Sequence, residues 1–334
     1  MSYDQTILYR ATARLDAKRR ERNTQREALR QQIYQKDPRV KALDRQLQAT
    51  MSNLIANCLR QGEKAGDAVR AVRERNLSLQ QERTKLLQAL GLSADCLEAK
   101  ADCTLCGDTG WIGNKMCNCL RALCQEEQIQ DLSKLLNLGE QSFAFFQLDY
   151  YSRTVDPAHN ISPRENMEFI YDTCQKYALN FGRFPIHNLF LSGAPGLGKT
   201  FLSACIARTV SDQGFSVVYD TATNIFNQYE TKKFQRDGGE VQLALDETRR
   251  YHNCDLLILD DLGTEMTNQF VQHTLYDLLN SRLVAKKCTV ISSNLTIEET
   301  AQRYSPQIAS RLSGEYYILQ FFGEDIRRLK KQNF

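Results

Sequence analysis

Long apolar runs are absent from this sequence. The longest are short, such as LLIL at 256–259, whereas a membrane-spanning helix needs about 20 apolar residues. The opening residues, MSYDQTILYR, contain no apolar segment behind a basic start, so we expect no secretory signal. Both absences predict a cytoplasmic protein.

A disulfide framework is not indicated either, although the chain has 11 cysteines. The number is odd, and several cysteines stand alone in apolar stretches: Cys174, Cys205, Cys254 and Cys288. This scatter is typical of reduced core cysteines in a reducing compartment.

Charge is distributed unevenly along the chain, although the net charge is only +3. Residues 1–95 carry 19 Lys and Arg against 11 Asp and Glu, a balance of +8, and the remainder carries 24 against 29, a balance of −5. A basic region suits an acidic partner surface or a phosphate backbone. The alternative is the solvated face of a long helix.

The same region, 1–95, is poor in glycine and holds one proline, Pro38. Apolar residues recur there at spacings of three and four, which place them on one helical face: Val40, Leu43, Leu47, Met51, Leu54 and Ile55. A second series recurs every seven residues: Val72, Leu79 and Leu86, with Asn76 and Arg83 breaking the other seam position. We expect two or three helices, including an antiparallel hairpin, with Pro38 starting one of them. The narrow stripe favours a partner-binding or self-association module over inert packing.

Four cysteines lie within seventeen positions, as C-x-x-C and C-x-C: Cys103, Cys106, Cys117 and Cys119. Two such pairs can close a tetrahedral shell around one metal ion, and Zn²⁺ is the metal favoured by four thiolates. A thioredoxin-like redox couple would need a βαβ pattern, which does not surround these residues. An iron–sulfur cluster and unmetallated cysteines are the alternatives, and Cys124 is a substitute ligand.

A nucleotide-binding loop is indicated further along the chain. Eight consecutive residues match G-x-x-x-x-G-K-[ST]: Gly193, Ala194, Pro195, Gly196, Leu197, Gly198, Lys199 and Thr200. The motif follows the apolar strand NLFLS and opens the helix FLSACIARTV, which is the context that it requires. We expect backbone N–H groups to surround the phosphates, Lys199 to reach the β- and γ-phosphates of ATP, and Thr200 to hold Mg²⁺.

Two further strands end in polar residues that suit the same site. DLLILDD (255–261) ends in Asp260, expected to hold Mg²⁺ through water, and Asp261, expected to orient or deprotonate the attacking water. CTVISSN (288–294) ends in Asn294, which could bond that water or the γ-phosphate. The alternatives are a turn-capping role for Asp261 and an ordinary turn for Asn294.

These motifs, together with QIASRLSG and FFGEDIRR, resemble the AAA+ ATPases of the bacterial helicase-loader group. That group comprises the DnaC/DnaI loaders of the replicative helicase and the related IstB transposition helpers. The resemblance covers roughly residues 165–334 and implies an α/β P-loop AAA+ core, a five-stranded parallel sheet with flanking helices. The strands are predicted at NLFLSG, SVVYDT, DLLILDD, CTVISSN and YYILQF. Because the sequence ends thirteen residues after YYILQF, we expect no C-terminal helical lid.

The resemblance also implies roles for individual residues. Lys199 with Thr200 would be the Walker A pair, Asp260 with Asp261 the Walker B pair, and Asn294 sensor 1. Arg311 falls at the position of an arginine finger that reaches a neighbouring subunit's ATP, and Arg327 at the position of the second sensor arginine. A surface salt bridge is the alternative for each arginine. Many AAA+ members have Asp-Glu in Walker B, so the shorter Asp261 predicts slow, switch-like hydrolysis.

A DNA contact is predicted between the second and third strands. Two helices are expected around 222–234 and 239–252, and the stretch TKKFQR places basic residues beside an aromatic one: Lys232, Lys233, Phe234 and Arg236. Cations that follow phosphates and a ring that stacks on bases suit single-stranded DNA. A solvated helix end is the alternative.

The sequence thus divides into an all-α partner-binding region (1–95), a Cys₄ zinc-binding segment (96–125), a connector with aromatic anchors (126–183) and an ATPase domain (184–334). By resemblance, the first two regions would bind a hexameric replicative helicase while the ATPase binds ATP, Mg²⁺ and single-stranded DNA and self-associates. The alternatives are an IstB-like helper that binds duplex DNA and a transposase, and a nucleotide-gated protein scaffold that binds no DNA.

Overall fold

The computed structural model describes residues 3–61, 65–135, 141–234 and 247–332. The chain forms two compact units, one of residues 13–117 and one of residues 1–12 with 118–334. Within the described ranges, no helix has the length and apolar character that crossing a bilayer requires.

Three long helices open the chain: α1 (Gln5–Lys36), α2 (Pro38–Gln61) and α3 (Ala65–Ala89). Pro38 is the first residue of α2, as predicted, because a proline there has no helical N–H to lose. Ile33, Val40, Leu87 and Leu97 form a small buried core in the unit of residues 13–117. The side chains of Met51, Leu54 and Ile55, part of the predicted stripe, lie outside the described ones.

The predicted antiparallel hairpin is formed by α2 and α3. Arg83 donates to Asp44 at 2.7 Å, and the Thr50 hydroxyl donates to Asn76 at 2.7 Å. The later residue of α2, Thr50, thus contacts the earlier residue of α3, Asn76. The two helices therefore run in opposite directions. The residues that break the apolar seam of α3 are therefore the ones that bind α2 through polar contacts.

A short antiparallel pair of strands, β1 (Trp111–Ile112) and β2 (Lys115–Met116), lies between the two cysteine pairs. Helix α4 (Asn118–Leu135) follows and belongs to the unit of residues 118–334. The aromatic connector contains two single turns of 3₁₀ helix, Phe143–Phe145 and Leu148–Tyr150.

The larger unit is built on five parallel strands, in the spatial order β4-β5-β6-β3-β7. The elements are α5 (Pro163–Leu179), β3 (Leu189–Gly193), α6 (Lys199–Asp212), β4 (Val217–Thr221), α7 (Ala222–Phe234), α8 (247–253), β5 (Leu256–Leu262), α9 (Gln269–Val284), β6 (Cys288–Ser293), α10 (Ile297–Arg303), α11 (Pro306–Glu315), β7 (Tyr317–Phe321) and α12 (Ile326–Gln332). All five predicted strands are confirmed. Of the helix predicted at 239–252, residues 239–246 lie outside the described ones.

Both faces of this sheet are covered. Leu189 and Leu191 of β3 belong to one buried cluster, whereas Phe190 between them belongs to the other. Burial on both faces explains why the strands are near-continuous apolar runs. Since the strands are parallel, their carboxyl ends lie along one edge of the sheet, where ligands of such folds bind.

Candidate functional site

The loop between β3 and α6 is held by contacts from outside it. The Tyr151 hydroxyl donates to the backbone carbonyl of Leu197 at 2.9 Å. Gly198 has a φ of 94°, and a Cβ added there would lie 2.8 Å from that hydroxyl. Glycine is therefore required at this position both by the left-handed backbone and by the close approach of the tyrosine.

Lys199 is buried at the first turn of α6. Its Nζ donates to the carbonyl oxygens of Gly193 and Ala194, at 2.5 and 2.8 Å, and to Oδ1 of Asn294 at 2.8 Å. Burial lowers the pKa of Lys199 to about 8, against the opposing effect of the carboxylates of Asp261 and Asp260. A buried ammonium that carbonyl and amide oxygens hold in place is poised to bind an anion.

Asp260 is buried at the end of β5 and is surrounded by hydroxyl groups. Its Oδ1 accepts a bond from Thr200 at 3.4 Å and another from Ser292 of β6. Its Oδ2 accepts a bond from Tyr219 of β4. Tyr219 and Ser292 had no place in the predicted site, although the period of two in β4 puts Tyr219 on the same face as Val217.

Asp261 is turned into the cavity by an irregularity in β5. The register of β5 with β6 shifts between Leu259 and Leu262, and Asp261 has a φ of 55°. Its backbone N–H donates to the Ser292 hydroxyl at 3.1 Å. Bulges of this kind re-aim side chains beside active sites. Burial, with the nearby charge of Asp260, raises the pKa of Asp261 and makes it a stronger base.

Lys199 and Asp261 open onto one cavity of about 370 Å³, within the range of small-molecule sites. Its polar lining combines residues from the P-loop, β5, the end of β6 and α12: Lys199, Thr200, Asp261, Asn294 and Arg327. The structure thus brings together the predicted Walker A, Walker B, sensor 1 and second-sensor positions. Asp260 lies beneath this lining.

An aromatic wall faces the polar lining. It consists of connector side chains that the sequence marked only as anchors: Phe145, Phe146, Tyr150 and Tyr151. Phe146 stacks on Tyr151 and on Tyr171, with ring centroids 6.0 and 5.3 Å apart. A flat apolar wall beside a phosphate loop suits the base of a nucleotide. The density of rings in FAFFQLDYY was the signal in the sequence.

Helix α12 closes another side of the cavity. The backbone N–H of Ile326 donates to the carbonyl of Gly196 at 3.1 Å, and the Asp325 carboxylate packs against Gly196 where any other residue would carry a Cβ. Arg327 lines the cavity, and its charge adds to burial in lowering the pKa of Lys199. The arginine therefore lies in the same chain's cavity.

The remaining predicted residues lie away from this lining. Arg311 is half-buried on α11 and is not among the residues that line the cavity. Lys232 and Lys233 are exposed near the end of α7, with their Nζ atoms 5.9 Å from the Tyr229 ring and 4.7 Å from the Phe270 ring. The side chain of Phe234 and all of Arg236 lie outside the described residues.

The oxygen donors at the cavity fit Mg²⁺. The Thr200 hydroxyl and the Asp260 carboxylate are hard oxygen ligands of the kind that Mg²⁺ selects, and they lie 3.4 Å apart. A magnesium ion held there would shield the phosphate charge of a bound nucleotide.

The four clustered cysteines fit a tetrahedral metal ion. The sulfur atoms of Cys103, Cys106, Cys117 and Cys119 all lie within 4.8 Å of one another, and those of Cys103 and Cys117 are 3.6 Å apart. Zn–S bonds of about 2.3 Å in a tetrahedron place sulfurs about 3.8 Å apart. Cys124, the predicted substitute, is buried on α4 and is not part of this group.

A buried carboxylate supports the first cysteine pair. Asp108 accepts the backbone N–H groups of Cys103 and Asp102, at 2.8 and 3.1 Å, and pairs with Arg22 of α1. Its φ of 61° is a left-handed conformation that aspartate tolerates. Hydrogen bonds between the Asp108 carboxylate and these backbone N–H groups therefore hold the loop, in addition to any metal.

The family profile described as IstB-like ATP binding protein matches residues 178–332. This part of the chain matches an IstB-like ATP-binding domain. The matched region contains the P-loop, both acidic residues of β5, Asn294, Arg311 and Arg327. The predicted fold and family are confirmed.

Individual relatives are distant. The chain is 27% identical over 150 residues to an insertion-sequence ATP-binding protein of Sinorhizobium fredii, which covers 43% of this chain and 58% of that protein. It is 24% identical over 127 residues to the replicative helicase loader DnaC of Escherichia coli, covering 38% of this chain and 50% of the loader. The chain thus spans about half the length of the curated relatives it matches.

Solved structures show partial similarity. A crystal structure of the DnaC helicase loader has a TM-score of 0.45 at 17% identity and covers 56% of this chain and 99% of that one. A crystal structure of DnaI has a TM-score of 0.43 at 18% identity and covers 57% of this chain and 93% of that one.

Proposed function

We propose that this protein is an ATP-dependent loader of a hexameric replicative helicase that acts in the cytoplasm during the initiation of DNA replication. The observation that carries the ATPase part is the convergence of Lys199, Asp261, Asn294 and Arg327 on one cavity with an aromatic wall. ATP would favour a self-associated state that grips single-stranded DNA, and hydrolysis would release it.

Each residue at the cavity has a role in this proposal. The P-loop and Lys199 bind the phosphates, and the aromatic wall holds the base. Asp261 orients the attacking water and accepts its proton, while Asn294 fixes the lysine and the water. Arg327 neutralises charge from the same chain, and Arg311 would do so from a neighbouring copy. Mg²⁺, held by Thr200 and Asp260, supplies charge shielding.

The N-terminal regions favour a loader over the other ATPase functions. The cysteine segment, with its proposed zinc ion, exposes three apolar side chains: Leu105 is 69%, Trp111 39% and Ile112 50% exposed. A small knob that exposes large apolar groups is typical of a protein-docking surface, and we assign it to the helicase. A pull-down with purified helicase tests this: Trp111→Ser should weaken capture by about tenfold or more. Val284→Ser, which changes an exposed apolar residue of α9, should not.

DNA binding decides between the candidate functions. The purified chain would be titrated against a labelled single-stranded oligonucleotide and a duplex of the same length, each with ATP, ADP or no nucleotide. We expect single-strand binding that requires ATP. Lys199→Ala should lose both nucleotide binding and ATP-dependent DNA binding while keeping its fold. Normal ATP affinity in that variant would contradict the site assignment.

The second candidate is an IstB-like transposition helper, which the family match of residues 178–332 favours. Preference for the duplex in the same titration, with capture of a transposase rather than a helicase, would support it. Absence of binding to either DNA in every nucleotide state would favour a nucleotide-gated scaffold. Joint substitution of Lys232 and Lys233 by alanine should weaken single-strand binding under the loader proposal.

A further inference from the structure

Tyr219 has a buried hydroxyl that reaches the catalytic end of the neighbouring strand. In the register of β4 with β5, Tyr219 lies opposite Ile258, and Thr221 lies opposite Asp260. Tyr219 is therefore the diagonal neighbour of Asp260 on one face of the sheet, and its long side chain spans the separation. The tyrosine is 4% exposed and the aspartate 3%.

The two oxygens of Asp260 receive different donors. Oδ2 accepts from Tyr219, whereas Oδ1 accepts from Ser292 and lies 3.4 Å from the Thr200 hydroxyl. The Tyr219 hydroxyl is also 3.3 Å from Ser203 Oγ, one turn after Thr200 on α6. A chain of hydroxyl groups thus links the P-loop helix to the end of β5 through Tyr219.

This arrangement fixes the rotation of a carboxylate. The terminal torsion of an aspartate side chain has broad energy wells, so donors from opposite sides are needed to hold its plane. The phenol of Tyr219 supplies one such donor, to Oδ2, and the Ser292 hydroxyl supplies another, to Oδ1. With Oδ2 held by Tyr219, Oδ1 is the oxygen that faces Thr200.

We propose that Tyr219 is a positioning residue of the ATP site, which orients the Asp260 carboxylate toward the Thr200 hydroxyl and thereby sets the Mg²⁺ dependence of nucleotide binding. The inference rests on the proposed ATPase function, because Thr200 and Asp260 are its magnesium residues. Tyr219 itself lies beneath the cavity and does not line it.

The chain offers a matched control in Tyr251 of α8. Its hydroxyl donates to Oδ2 of Asp220 at 2.7 Å, and the side chain is fully buried. Asp220 lies next to Tyr219 in β4 and faces the other side of the sheet. Tyr251→Phe therefore removes the same chemical group from an equally buried carboxylate that does not address the ATP site.

The experiment measures binding of a fluorescent ATP analogue to the full chain as Mg²⁺ is varied. In Tyr219→Phe, we expect the half-saturating Mg²⁺ concentration to rise roughly five- to tenfold, the effect of one lost buried hydrogen bond. Binding in EDTA should stay within about twofold of the parent protein, because the P-loop contacts are unchanged. Tyr251→Phe should keep the parent's Mg²⁺ dependence. Ser203→Ala, which removes the hydroxyl beside Tyr219, should give a smaller rise and serves if Tyr219→Phe does not fold.

Three results would overturn the inference. A parent protein that binds no ATP refutes the proposed function, and the inference with it. A parent that binds ATP with Mg²⁺, beside a Tyr219→Phe variant with the same Mg²⁺ dependence, refutes the inference alone. Equal rises in Tyr219→Phe and Tyr251→Phe would show a general loosening of the sheet instead of a role at the site.

Discussion

Lys199 occupies a position where burial works against its charge. The cavity withdraws the ammonium from water, and oxygens of Gly193, Ala194 and Asn294 supply only partial compensation. The lowered pKa records this imbalance. A nucleotide that brings several negative charges to Lys199 would reverse the imbalance, so binding and protonation are linked.

ATP affinity is expected to fall as the pH rises above about 8. Below that pH Lys199 is already charged, and above it Lys199 must take up one proton for each nucleotide bound, which costs up to about tenfold per pH unit. The nucleotide-free fold has the opposite dependence: the unfolded lysine, with a pKa of 10.5, holds its proton more tightly, so stability rises from about pH 8 toward 10.5. Fluorescent-nucleotide titrations between pH 7 and 9.5 would check the binding. Lys199→Arg, which stays charged, should bind less tightly but lose this dependence; a flat profile in the parent would contradict it.

The sequence identified the chemistry of the cavity better than its geometry. Lys199 and Thr200 follow from a motif, and Asp261 from the end of a strand. Asp261 enters the cavity because its backbone is left-handed where the register of β5 with β6 shifts, and Tyr219 holds Asp260 because β4 lies beside β5. Both features depend on strands that are neighbours in the sheet but far apart in the sequence. Roles that depend on such neighbours have no local signal.

Among the elements, the hairpin of α2 and α3 is stabilised by Asp44 through more than one contact. Its carboxylate accepts bonds from Tyr34 of α1, at 2.6 Å, and from Arg83 of α3, at 2.7 Å. One side chain on α2 therefore joins all three helices. The side chains of Asp44 and Arg83 are 16% and 18% exposed, so water screens this pair only partly.

Asp44→Ala is expected to lower the free energy of unfolding by about 2–3 kcal/mol, because it strands a partly buried guanidinium and a tyrosine hydroxyl together. Urea unfolding followed by helical circular dichroism would measure the change. Arg45→Ala, one residue along and exposed on the same helix, is the control and should change the free energy by no more than about 0.5 kcal/mol. Equal effects of the two substitutions would show that Asp44 does not join the helices.

At the scale of the whole molecule, metal content is the first quantity to measure. We expect about one zinc ion per chain, since four thiolates form one closed site. Cys103→Ser and Cys117→Ser should remove it and abolish the thiolate-to-metal absorption of the cobalt-substituted protein. Cys96→Ser, close in sequence but outside the group of four, should keep both. A full zinc content in Cys103→Ser would exclude the predicted ligand set, and iron in place of zinc would support the cluster alternative.

In the self-associated protein, we expect Arg311 to act on the ATP bound by a neighbouring subunit and not on the ATP bound by its own chain. Arg311→Ala is expected to lower ATP hydrolysis by about a hundredfold or more, as loss of an arginine finger does, and Lys199→Ala should be inactive because it binds no nucleotide. Mixing the two variants should restore part of the activity, because each supplies what the other lacks. Arg328→Ala, exposed on α12, should leave hydrolysis unchanged. A mixture that stays inactive would contradict the action of Arg311 on a neighbouring subunit's ATP.

By itself, the sequence determined the fold of the larger unit and the kind of side chains at its centre, since apolar strand runs, the P-loop and strand-end carboxylates are local patterns. It also determined that four thiols lie close along the chain. The tertiary structure alone decided which oxygens surround Asp260, that Arg327 reaches the cavity of its own chain, that connector aromatics form its wall, and that Asp44 joins three helices. These contacts are set by strand order and helix packing, and residues that meet in this way are separated by tens to hundreds of positions in the sequence.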